Sequence, residues 1–414
     1  MERRAVTIVG ASLAGYWAAE TLRRDGFEGR ISLIGNEPHA PYDRPPLSKK
    51  YLAGDLDDDR LALTTAEKLA DLGLDLRLGR SATGLDMADR TLEVDGVAET
   101  FDGLVIATGT RCRTLPGTAG LAGVHTLRTR DDAAAIRGAM ADGARRMMVV
   151  GAGFIGAEVA STAIGRGIEV TMVEALEAPF GRVLGIEMGA VMADVHRHRG
   201  VDLRTGVGVA EVLGDGHVTG VRLADGVTLD VDLLVVGIGV IPNTDWLEGS
   251  GLALDDGVVC DETCLAAPGV VAAGDVARWY NKRYGESMRV EHWDNAVQQG
   301  VHAARRLLQS DEEAQPRVAA ANMLGGDREY SAVPWFWSDQ YDRKIQLAGR
   351  PHPDDEVRVV AGSTAEHRFA AFYGRDGRFT AAMGMNRPRQ VMQSKGLLEA
   401  GASWDEALAF ASEW

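Results

Sequence analysis

The sequence predicts an α/β fold built from two similar βαβ repeats and a smaller C-terminal α+β module. In each repeat a short hydrophobic strand runs into a glycine-rich loop, first as AVTIVGASLAG and later as MMVVGAGFIG. Each loop is followed by a helical stretch, a second strand and an acidic residue at or just past its end, Glu37 and Glu174 respectively. Strand-like segments such as KIQLAG and RFAAFYG indicate the C-terminal module.

Both loops have the spacing of a dinucleotide-binding turn. Its three glycine positions are, in chain order, Gly10, Ser12 and Gly15 in the first repeat and Gly151, Gly153 and Gly156 in the second. The first glycine permits the tight turn, the second lets the backbone approach a pyrophosphate, and the third allows the helix to pack on the strand. The helix N-terminus attracts phosphates, and the carboxylate accepts hydrogen bonds from ribose hydroxyls.

Glycine-rich turns also join strands to helices in α/β domains that bind no nucleotide. The repetition of strand, loop, helix, strand and carboxylate in the same order favours the binding interpretation. We therefore expect two Rossmann-like domains that hold two dinucleotides on one chain and pass electrons between them.

Composition and charge narrow the class further. The chain has 414 residues, which suits two or three domains, and its net charge of −16 argues against general binding to nucleic acids or anionic membranes. No apolar run is long enough to span a bilayer, and the first strand begins too early for a signal peptide, so we expect a cytoplasmic protein. Cys112, Cys260 and Cys264 are too few for a disulfide framework and belong to no histidine cluster, so we expect no metal site.

Short motifs outside the loops resemble a known family. ATG at residues 107–109 and GD at residues 274–275, on either side of the second repeat, resemble the glutathione-reductase-like flavoproteins. More specific segments are PYDRPPLSK (41–49), VEHW (290–293), PWFWSDQ (334–340) and NRPR (386–389). Over essentially its whole length the chain is similar to the NADH-dependent ferredoxin reductases of bacterial monooxygenase and dioxygenase systems.

The resemblance implies three domains. A FAD-binding domain would comprise residues 1–113 and 243–320, and an NAD-binding domain at residues 114–242 would interrupt it. A C-terminal domain would comprise residues 321–414, after a polar linker predicted in QSDEEAQPR. We expect a monomer or a homodimer.

The resemblance also implies which residues bind FAD. The loop from Gly10 to Gly15 would hold the ADP half, with Glu37 on the adenosine ribose. The other implied contacts are Ser12, Ala14, Arg44, Lys49, Ala82, Arg128, Asp275 and Trp293. Asp275 would accept hydrogen bonds from the ribitol chain. The alternative role is a helix N-cap, and the two roles can coexist. Ser12 adds a Cβ where the backbone should approach phosphate, yet its hydroxyl can donate a hydrogen bond, so we expect FAD binding to survive.

The second loop would bind NADH. The implied contacts are Gly151, Gly153, Ile155, Gly156, Glu158, Glu174 and Gly239. No arginine follows Glu174 within the next few residues. A carboxylate in this position bonds to a free 2′-hydroxyl and repels a 2′-phosphate, so we expect NADH to be preferred over NADPH.

The chain lacks a thiol pair next to the first loop. Disulfide reductases of this fold carry CxxxxC after the first repeat, where this chain has PPLSKK and no cysteine. Electrons that reach the flavin must therefore leave to an external acceptor. Flavin accepts a hydride as two electrons and can release them one at a time, as an iron–sulfur acceptor requires.

Lys49 and Glu158 are the expected catalytic residues. The resemblance implies that Lys49 reaches the N5/O4 edge of the flavin, where a cation would stabilise the reduced ring. Glu158, expected on the first turn of its helix, would approach both Lys49 and the nicotinamide, and pairing would reduce the desolvation cost of each charge. The alternatives are a solvated surface lysine and a carboxylate that complements the helix dipole.

The implied partner is an acidic iron–sulfur ferredoxin, bound through a local basic patch on this acidic chain. The candidate cations are Arg305, Arg306, Arg343, Lys344, Arg387 and Arg389. Trp335 and Trp337 would cover the flavin, border the acceptor site, or pack in the core of the C-terminal module. The alternative functions are a rubredoxin reductase, an NADH oxidase, and an NADH-sensing flavoprotein that resembles apoptosis-inducing factor.

Overall fold

The computed structural model describes residues 5–309 and 329–414. The domain boundary predicted at residues 320 and 321 lies outside these ranges, as does all of the predicted linker except Gln309. The α-helices in the described ranges are α1 (Leu13–Arg24), α2 (Lys50–Ala53), α3 (Ala66–Asp71), α4 (Arg130–Ala141), α5 (Phe154–Gly165), α6 (Gly181–His198), α7 (Trp293–Leu308), α8 (Pro388–Ala400) and α9 (Trp404–Ala411). Within these ranges no helix is both long and apolar enough to cross a membrane.

The strands alternate with these helices along the chain. The first part contains β1 (Ala5–Val9), β2 (Arg30–Gly35), β3 (Asp75–Leu78), β4 (Ala82–Asp86), β5 (Thr91–Val94), β6 (Val97–Thr100), β7 (Gly103–Ile106), β8 (Thr110–Cys112), β9 (Val124–His125), β10 (Arg146–Val150), β11 (Glu169–Glu174) and β12 (Asp202–Thr205). The remainder contains β13 (Val209–Asp215), β14 (His217–Leu223), β15 (Thr228–Asp230), β16 (Leu233–Val236), β17 (Val240–Pro242), β18 (Val258–Cys260), β19 (Leu265–Ala267), β20 (Val270–Ala272), β21 (Ala277–Asn281), β22 (Glu286–Met288), β23 (Trp335–Gln340), β24 (Arg343–Gly349), β25 (Glu356–Ser363), β26 (Arg368–Arg375) and β27 (Arg378–Met385).

The described residues fall into two compact units. Compact unit 1 takes its residues from Met1–Asp43, Leu61–Arg111 and Ile241–Ala332. Compact unit 2 takes its residues from Arg44–Arg60, Cys112–Val240 and Val333–Trp414.

A mostly parallel sheet forms the centre of compact unit 1, with the strand order β19-β20-β7-β1-β2-β3. Ile8 of β1 lies opposite Leu33 of β2 and Val105 of β7, and all three side chains are fully buried. Such continuous apolar strands are typical of a parallel sheet that is covered on both faces. Helices α1 and α7 pack closely, since a Cβ on Gly300 would lie 2.5 Å from the carbonyl oxygen of Ala14.

Compact unit 2 contains a parallel sheet from the second repeat, with the order β12-β11-β10-β16-β9. Val149 of β10 lies opposite Met172 of β11 and Val235 of β16. The order β16-β10-β11-β12 matches the order β7-β1-β2-β3 in compact unit 1. The prediction of two Rossmann-like repeats in an α/β fold is therefore confirmed.

The C-terminal part of compact unit 2 is an antiparallel sheet, β23-β24-β27-β26-β25, against which α8 and α9 pack. Two glycines permit this packing. A Cβ on Gly374 would lie 2.4 Å from the ring of Trp404, and a Cβ on Gly384 would lie 2.4 Å from the side chain of Val391. The predicted α+β module is confirmed.

Helix α7 begins at Trp293, because His292 adopts the extended conformation of an N-cap (φ −112°, ψ 145°). Strands β21 and β22 lie between this helix and the turn at Gly274.

Candidate functional site

The first glycine of each loop turns the chain sharply beside a neighbouring carbonyl group. Gly10 and Gly151 have φ values of +117° and +98°, which disfavour any residue with a Cβ. A Cβ on Gly10 would lie 2.1 Å from the oxygen of Ala107, and one on Gly151 would lie 2.2 Å from the oxygen of Gly237. Glycine is required at both positions by backbone conformation and by space.

The third glycine of each loop allows the helix to pack against the turn. A Cβ on Gly15 would lie 1.9 Å from the oxygen of Gly10, and one on Gly156 would lie 2.2 Å from the oxygen of Gly151. Both helices therefore begin directly on their loops, with their N-terminal N–H groups at the carboxyl end of a parallel sheet.

The second position differs between the two loops. Gly153 is the N-cap of α5, with φ −83°, and a Cβ there would meet no atom of the described residues within 4 Å. Ser12 is the N-cap of α1, with φ −114°, a conformation that any residue can adopt. The open space beside Gly153 fits a pyrophosphate that lies close to the backbone at a helix N-terminus.

Each predicted ribose-binding carboxylate lies at the end of the strand next to its loop. Glu37 follows β2 and accepts a hydrogen bond from the hydroxyl of Tyr42. Glu174 ends β11 and accepts hydrogen bonds from the backbone N–H groups of Ala152 (2.8 Å) and Leu176 (3.0 Å). A turn, a helix N-terminus and a carboxylate thus converge in each repeat, and these residues fit a bound dinucleotide.

The turn at Gly274 and Asp275 lies beside the first loop in compact unit 1. Gly274 has φ +76°, and a Cβ there would lie 3.1 Å from the Cβ of Ala14. Asp275 lies inside a short 3-10 helix, Gly274–Val276, whose N-cap is Ala273. The alternative that Asp275 is a helix N-cap is therefore wrong.

The remaining predicted FAD contacts lie in both compact units. In compact unit 1, the indole Nε1 of Trp293 donates a 2.7 Å hydrogen bond to Asp43, and Ala82 is the first residue of β4. In compact unit 2, Nη1 of Arg44 donates a 2.6 Å hydrogen bond to the carbonyl oxygen of Arg128.

The remaining predicted NADH contacts are near the second loop. Ile155, on the first turn of α5, is 48 % exposed. Gly239, directly before β17, has φ +95°, and its carbonyl oxygen accepts a 2.9 Å hydrogen bond from the N–H of Arg113.

Lys49 and Glu158 form a buried ion pair in compact unit 2. Nζ of Lys49 lies 2.7 Å from Oε2 of Glu158, and their side chains are only 16 % and 3 % exposed. Nζ also donates a 3.0 Å hydrogen bond to the carbonyl oxygen of Pro45. Lys49 is thus not the solvated surface lysine of the alternative interpretation, whereas its neighbour Lys50 is exposed.

Glu158 lies one turn deeper in its helix than the sequence suggests. Because α5 begins at Phe154, Glu158 is on the second turn, and the prediction of a first-turn position is wrong. The first turn contains no acidic residue, so complementing the helix dipole does not explain this carboxylate. Its burial follows from the other side chains that surround it.

Two hydroxyl groups that the sequence did not predict complete the surroundings of Glu158. Ser48 donates a 2.5 Å hydrogen bond to Oε2, and Ser338 donates a 2.6 Å hydrogen bond to Oε1. Burial raises the pKa of Glu158, while the charge and hydrogen bond of Lys49, and then the two hydroxyls, act to lower the pKa. All four side chains belong to compact unit 2.

Strand β23 lies along helix α5 and supplies Ser338. The rings of Phe336 and Phe154 are 4.6 Å apart, and the N–H of Tyr341 donates a 2.6 Å hydrogen bond to Ser161. Phe154, Glu158 and Ser161 are spaced i, i+4 and i+7, so they share one helix face. Side chains alternate along a strand, so Phe336 and Ser338 lie on the side of β23 that faces α5. This alternation is the sequence pattern from which Ser338 could have been identified.

The other face of β23 carries Trp335 and Trp337, the two tryptophans for which the sequence left three roles open. The ring centroids of Trp335 and Trp337 are 5.3 Å apart, with an angle of 30° between the planes. Trp335 packs against the core of the C-terminal module, which favours the core interpretation for this residue.

Comparison with known proteins agrees with this architecture. Residues 4–300 match the family model of the pyridine nucleotide-disulphide oxidoreductases, and residues 335–413 match the reductase C-terminal domain. The chain is 38 % identical to rhodocoxin reductase of Rhodococcus erythropolis, over 95 % of this chain and 89 % of that protein. It is 39 % identical to the ferredoxin reductase subunit of the 5,5'-dehydrodivanillate O-demethylase of Sphingobium, over 96 % of this chain and 94 % of that protein.

A solved structure is similar to this chain over almost its full length. The crystal structure of a covalent complex of putidaredoxin reductase and putidaredoxin matches with a TM-score of 0.87 at 35 % identity, and the match covers 96 % of this chain and 93 % of that chain. One assignment follows from the family matches, from the share of the chain that similar relatives cover, and from the two nucleotide-binding loops. The chain belongs to the pyridine nucleotide-disulphide oxidoreductase family and, within it, to the ferredoxin reductases.

Proposed function

We propose that the protein is an FAD-dependent NADH:ferredoxin reductase. It takes a hydride from NADH and delivers two single electrons to an iron–sulfur ferredoxin that serves a haem-thiolate monooxygenase or a Rieske dioxygenase. The observation that carries this proposal is the presence of two nucleotide loops in a chain that has no cysteine between Glu37 and Arg111. The related reductases from oxygenase systems support the same acceptor class.

FAD, when bound, accepts the hydride and returns the electrons one at a time. We assign the loop from Gly10 to Gly15 to its ADP half, Glu37 to the ribose and Asp275 to the ribitol hydroxyls. The further proposed contacts are Ser12, Ala14, Arg44, Ala82, Arg128 and Trp293. The close approach of Gly274 to Ala14 supports a joint role for the first loop and the Asp275 turn.

NADH is assigned to the second loop. Gly153 leaves room for its pyrophosphate, while Gly151 and Gly156 permit the turn and the helix packing that form the loop. Glu174 accepts hydrogen bonds from its adenosine ribose. Ile155 and Gly239 are proposed to border the coenzyme. The carboxylate of Glu174 disfavours NADPH by repulsion of the 2′-phosphate.

The buried pair of Lys49 and Glu158 is proposed to act where the hydride is transferred. An ammonium group at the reacting edge of the flavin stabilises the negative charge that develops there. Glu158 fixes the direction of this ammonium group through the 2.7 Å ion pair. The role of Lys49 is to hold a positive charge in place, and the role of Glu158 is to hold Lys49.

The ferredoxin is proposed to dock through local basic side chains. Arg306 is only 8 % exposed, so it is not part of the proposed docking set. Nζ of Lys344 lies 3.1 Å from Oδ1 of Asp339. Nη1 of Arg343 lies 3.3 Å from Oδ2 of Asp342. The charge of each cation is therefore partly neutralised. If docking is electrostatic, the ferredoxin-dependent rate should fall steeply as salt is added.

One assay tests the proposed function against its alternatives. The purified protein should be yellow when it is expressed with ample flavin, and NADH-dependent reduction of cytochrome c should require added ferredoxin from a bacterial oxygenase system. Fast oxygen consumption without ferredoxin would instead show an NADH oxidase. A strong preference for rubredoxin would show a rubredoxin reductase, and slow turnover with a long-lived reduced complex would show an NADH sensor.

A further inference from the structure

A continuous row of polar side chains extends from Glu158 into the interior of compact unit 2. Ser338 donates to Glu158 over 2.6 Å, and the side-chain nitrogen of Gln340 donates to Ser338 over 3.0 Å. Oε1 of Gln340 lies 3.1 Å from Nε2 of His196, and Nδ1 of His196 lies 2.9 Å from the hydroxyl of Tyr341. Ser338, Gln340 and His196 are fully buried.

The direction of every hydrogen bond in this row follows from the charge of Glu158. A carboxylate only accepts, so Ser338, which has one hydroxyl proton, must donate to it. Ser338 then accepts from the amide nitrogen of Gln340, which leaves Oε1 of Gln340 as an acceptor. His196 must therefore carry its proton on Nε2.

The same reasoning fixes the far end of the row. With its proton on Nε2, the neutral His196 presents Nδ1 as an acceptor, so the hydroxyl of Tyr341 donates to it. Burial lowers the pKa of His196 to about 4, which keeps the ring neutral near pH 7. The guanidinium of Arg199 lies over the Tyr341 ring at 5.3 Å, and Lys49 is the charged group that faces Glu158.

The row ends on one oxygen of Glu158, and Lys49 binds the other. Oε1 accepts from Ser338, while Oε2 accepts from Lys49 and Ser48. Rotation of the carboxylate would break bonds on both sides at once. The row therefore orients the carboxylate without moving protons along it, because the amide of Gln340 in its middle does not release a proton near pH 7.

We propose that Ser338, Gln340 and His196 are positioning residues for the hydride-transfer step, and that they act by holding the Glu158 carboxylate against Lys49. This inference rests on the proposed function and deepens it. Strand β23 of the C-terminal module supplies Ser338 and Gln340. Through these residues the strand takes a direct part in the geometry of the pair of Lys49 and Glu158. The row also assigns a single tautomer to His196.

The test combines kinetics with a measurement on the resting protein. Ser338→Ala should lower the first-order rate constant of flavin reduction by NADH about tenfold, as expected for the loss of a hydrogen bond to a charged group, with little change in NADH affinity. Without this donor the pKa of Glu158 rises further, so the acid limb of the pH–rate profile should move to higher pH. Nitrogen NMR of labelled histidine should show His196 protonated on Nε2 alone.

The matched control is Ser394→Ala. Ser394 is also fully buried in the C-terminal module, but its hydroxyl donates to the carbonyl oxygen of Gln390 (2.7 Å) and lies outside the row. This variant should leave the rate and the pH profile unchanged. If Ser338→Ala does not fold, Gln340→Met in the same assay and the tautomer of wild-type His196 decide the question.

The outcomes separate this inference from the proposed function. If NADH does not reduce the wild-type flavin, the proposed function fails and the positioning role fails with it. If NADH reduces the wild type and Ser338→Ala equally at every pH, the inference alone is overturned. A resting His196 that is protonated on Nδ1, or on both nitrogens, would also overturn it.

Discussion

The carboxylate of Glu174 accepts a 2.8 Å hydrogen bond from the backbone N–H of Ala152, inside the second glycine loop. Its other oxygen accepts from the N–H of Leu176 over 3.0 Å. The side chain of Glu174 therefore joins the end of β11 to the loop. It holds a negative charge in a fixed position beside the loop before any nucleotide binds. In the first repeat Glu37 has a different partner, the hydroxyl of Tyr42.

This fixed charge predicts the effect of Glu174→Gln on coenzyme choice. The wild type should use NADH more efficiently than NADPH, and the variant should lose about tenfold to a hundredfold of that preference, because an amide does not repel the 2′-phosphate. The measurement is kcat/KM for both coenzymes. Glu177→Gln, an exposed carboxylate three residues later, is the control and should change little. A wild type that prefers NADPH would contradict the assignment.

Gly153 and Gly156, the second and third glycines of the second loop, should respond differently to replacement by alanine. Gly153→Ala meets open space among the described residues, so the melting temperature should stay near that of the wild type, while KM for NADH rises about tenfold as the methyl group keeps the pyrophosphate from the backbone. In Gly156→Ala the new Cβ would lie 2.2 Å from the oxygen of Gly151, and unfolding should become easier by about 1–3 kcal/mol. Thermal unfolding and NADH kinetics on both variants check this. An unchanged KM in Gly153→Ala would remove the loop from the coenzyme site.

The sequence predicted the parts of this site that depend on local spacing. The positions of Gly10 and Gly151 relative to strand and helix follow from backbone conformation alone, and each repeat occupies a short stretch of the chain. The surroundings of Glu158 were not predictable in this way. Ser48 and Ser338 are 110 and 180 residues from Glu158 in the chain, so no local pattern links them.

Helix register explains the misplacement of Glu158. The loop spacing correctly identified a helix after the second glycine loop, but Glu158 was expected on its first turn and lies on its second, because the helix begins at Phe154. A position one turn deeper changes the neighbours of that carboxylate from the helix N-terminus to strand β23, and only the tertiary packing of α5 against that strand reveals this. A pattern in one segment fixes which residues share a face, but it leaves open which other segment covers that face.

Lys49→Met should impair flavin reduction and also destabilise the protein. It removes the ammonium group proposed to stabilise the reduced flavin, and it leaves the Glu158 carboxylate buried without its ionic partner, a loss of about 3–5 kcal/mol in comparable pairs. Stopped-flow reduction by NADH, the flavin potential and the melting temperature are the measurements. Lys50→Met removes a neighbouring exposed cation and is the matched control.

A double variant separates the two effects of Lys49→Met. Adding Glu158→Gln removes the unpaired buried charge, so much of the lost stability should return, while the slow reduction by NADH should remain. If Lys49→Met leaves both the reduction rate and the potential unchanged, Lys49 has no part in the reaction.

Acid should destabilise the protein through His196 between about pH 6.5 and about pH 4. Burial lowers the pKa of His196 from 6.5 to about 4 in the folded protein. In this window the unfolded chain binds a proton that the folded chain does not, so the free energy of unfolding falls as the pH falls. The loss is complete below about pH 4 and amounts to about 3 kcal/mol at most.

In His196→Gln the free energy of unfolding should vary less with pH across this window. Urea unfolding of both proteins at a series of pH values tests this, with His198→Gln, an exposed histidine of the same helix, as the control. Equal pH dependence in the wild type and His196→Gln would show that His196 titrates normally in the folded protein.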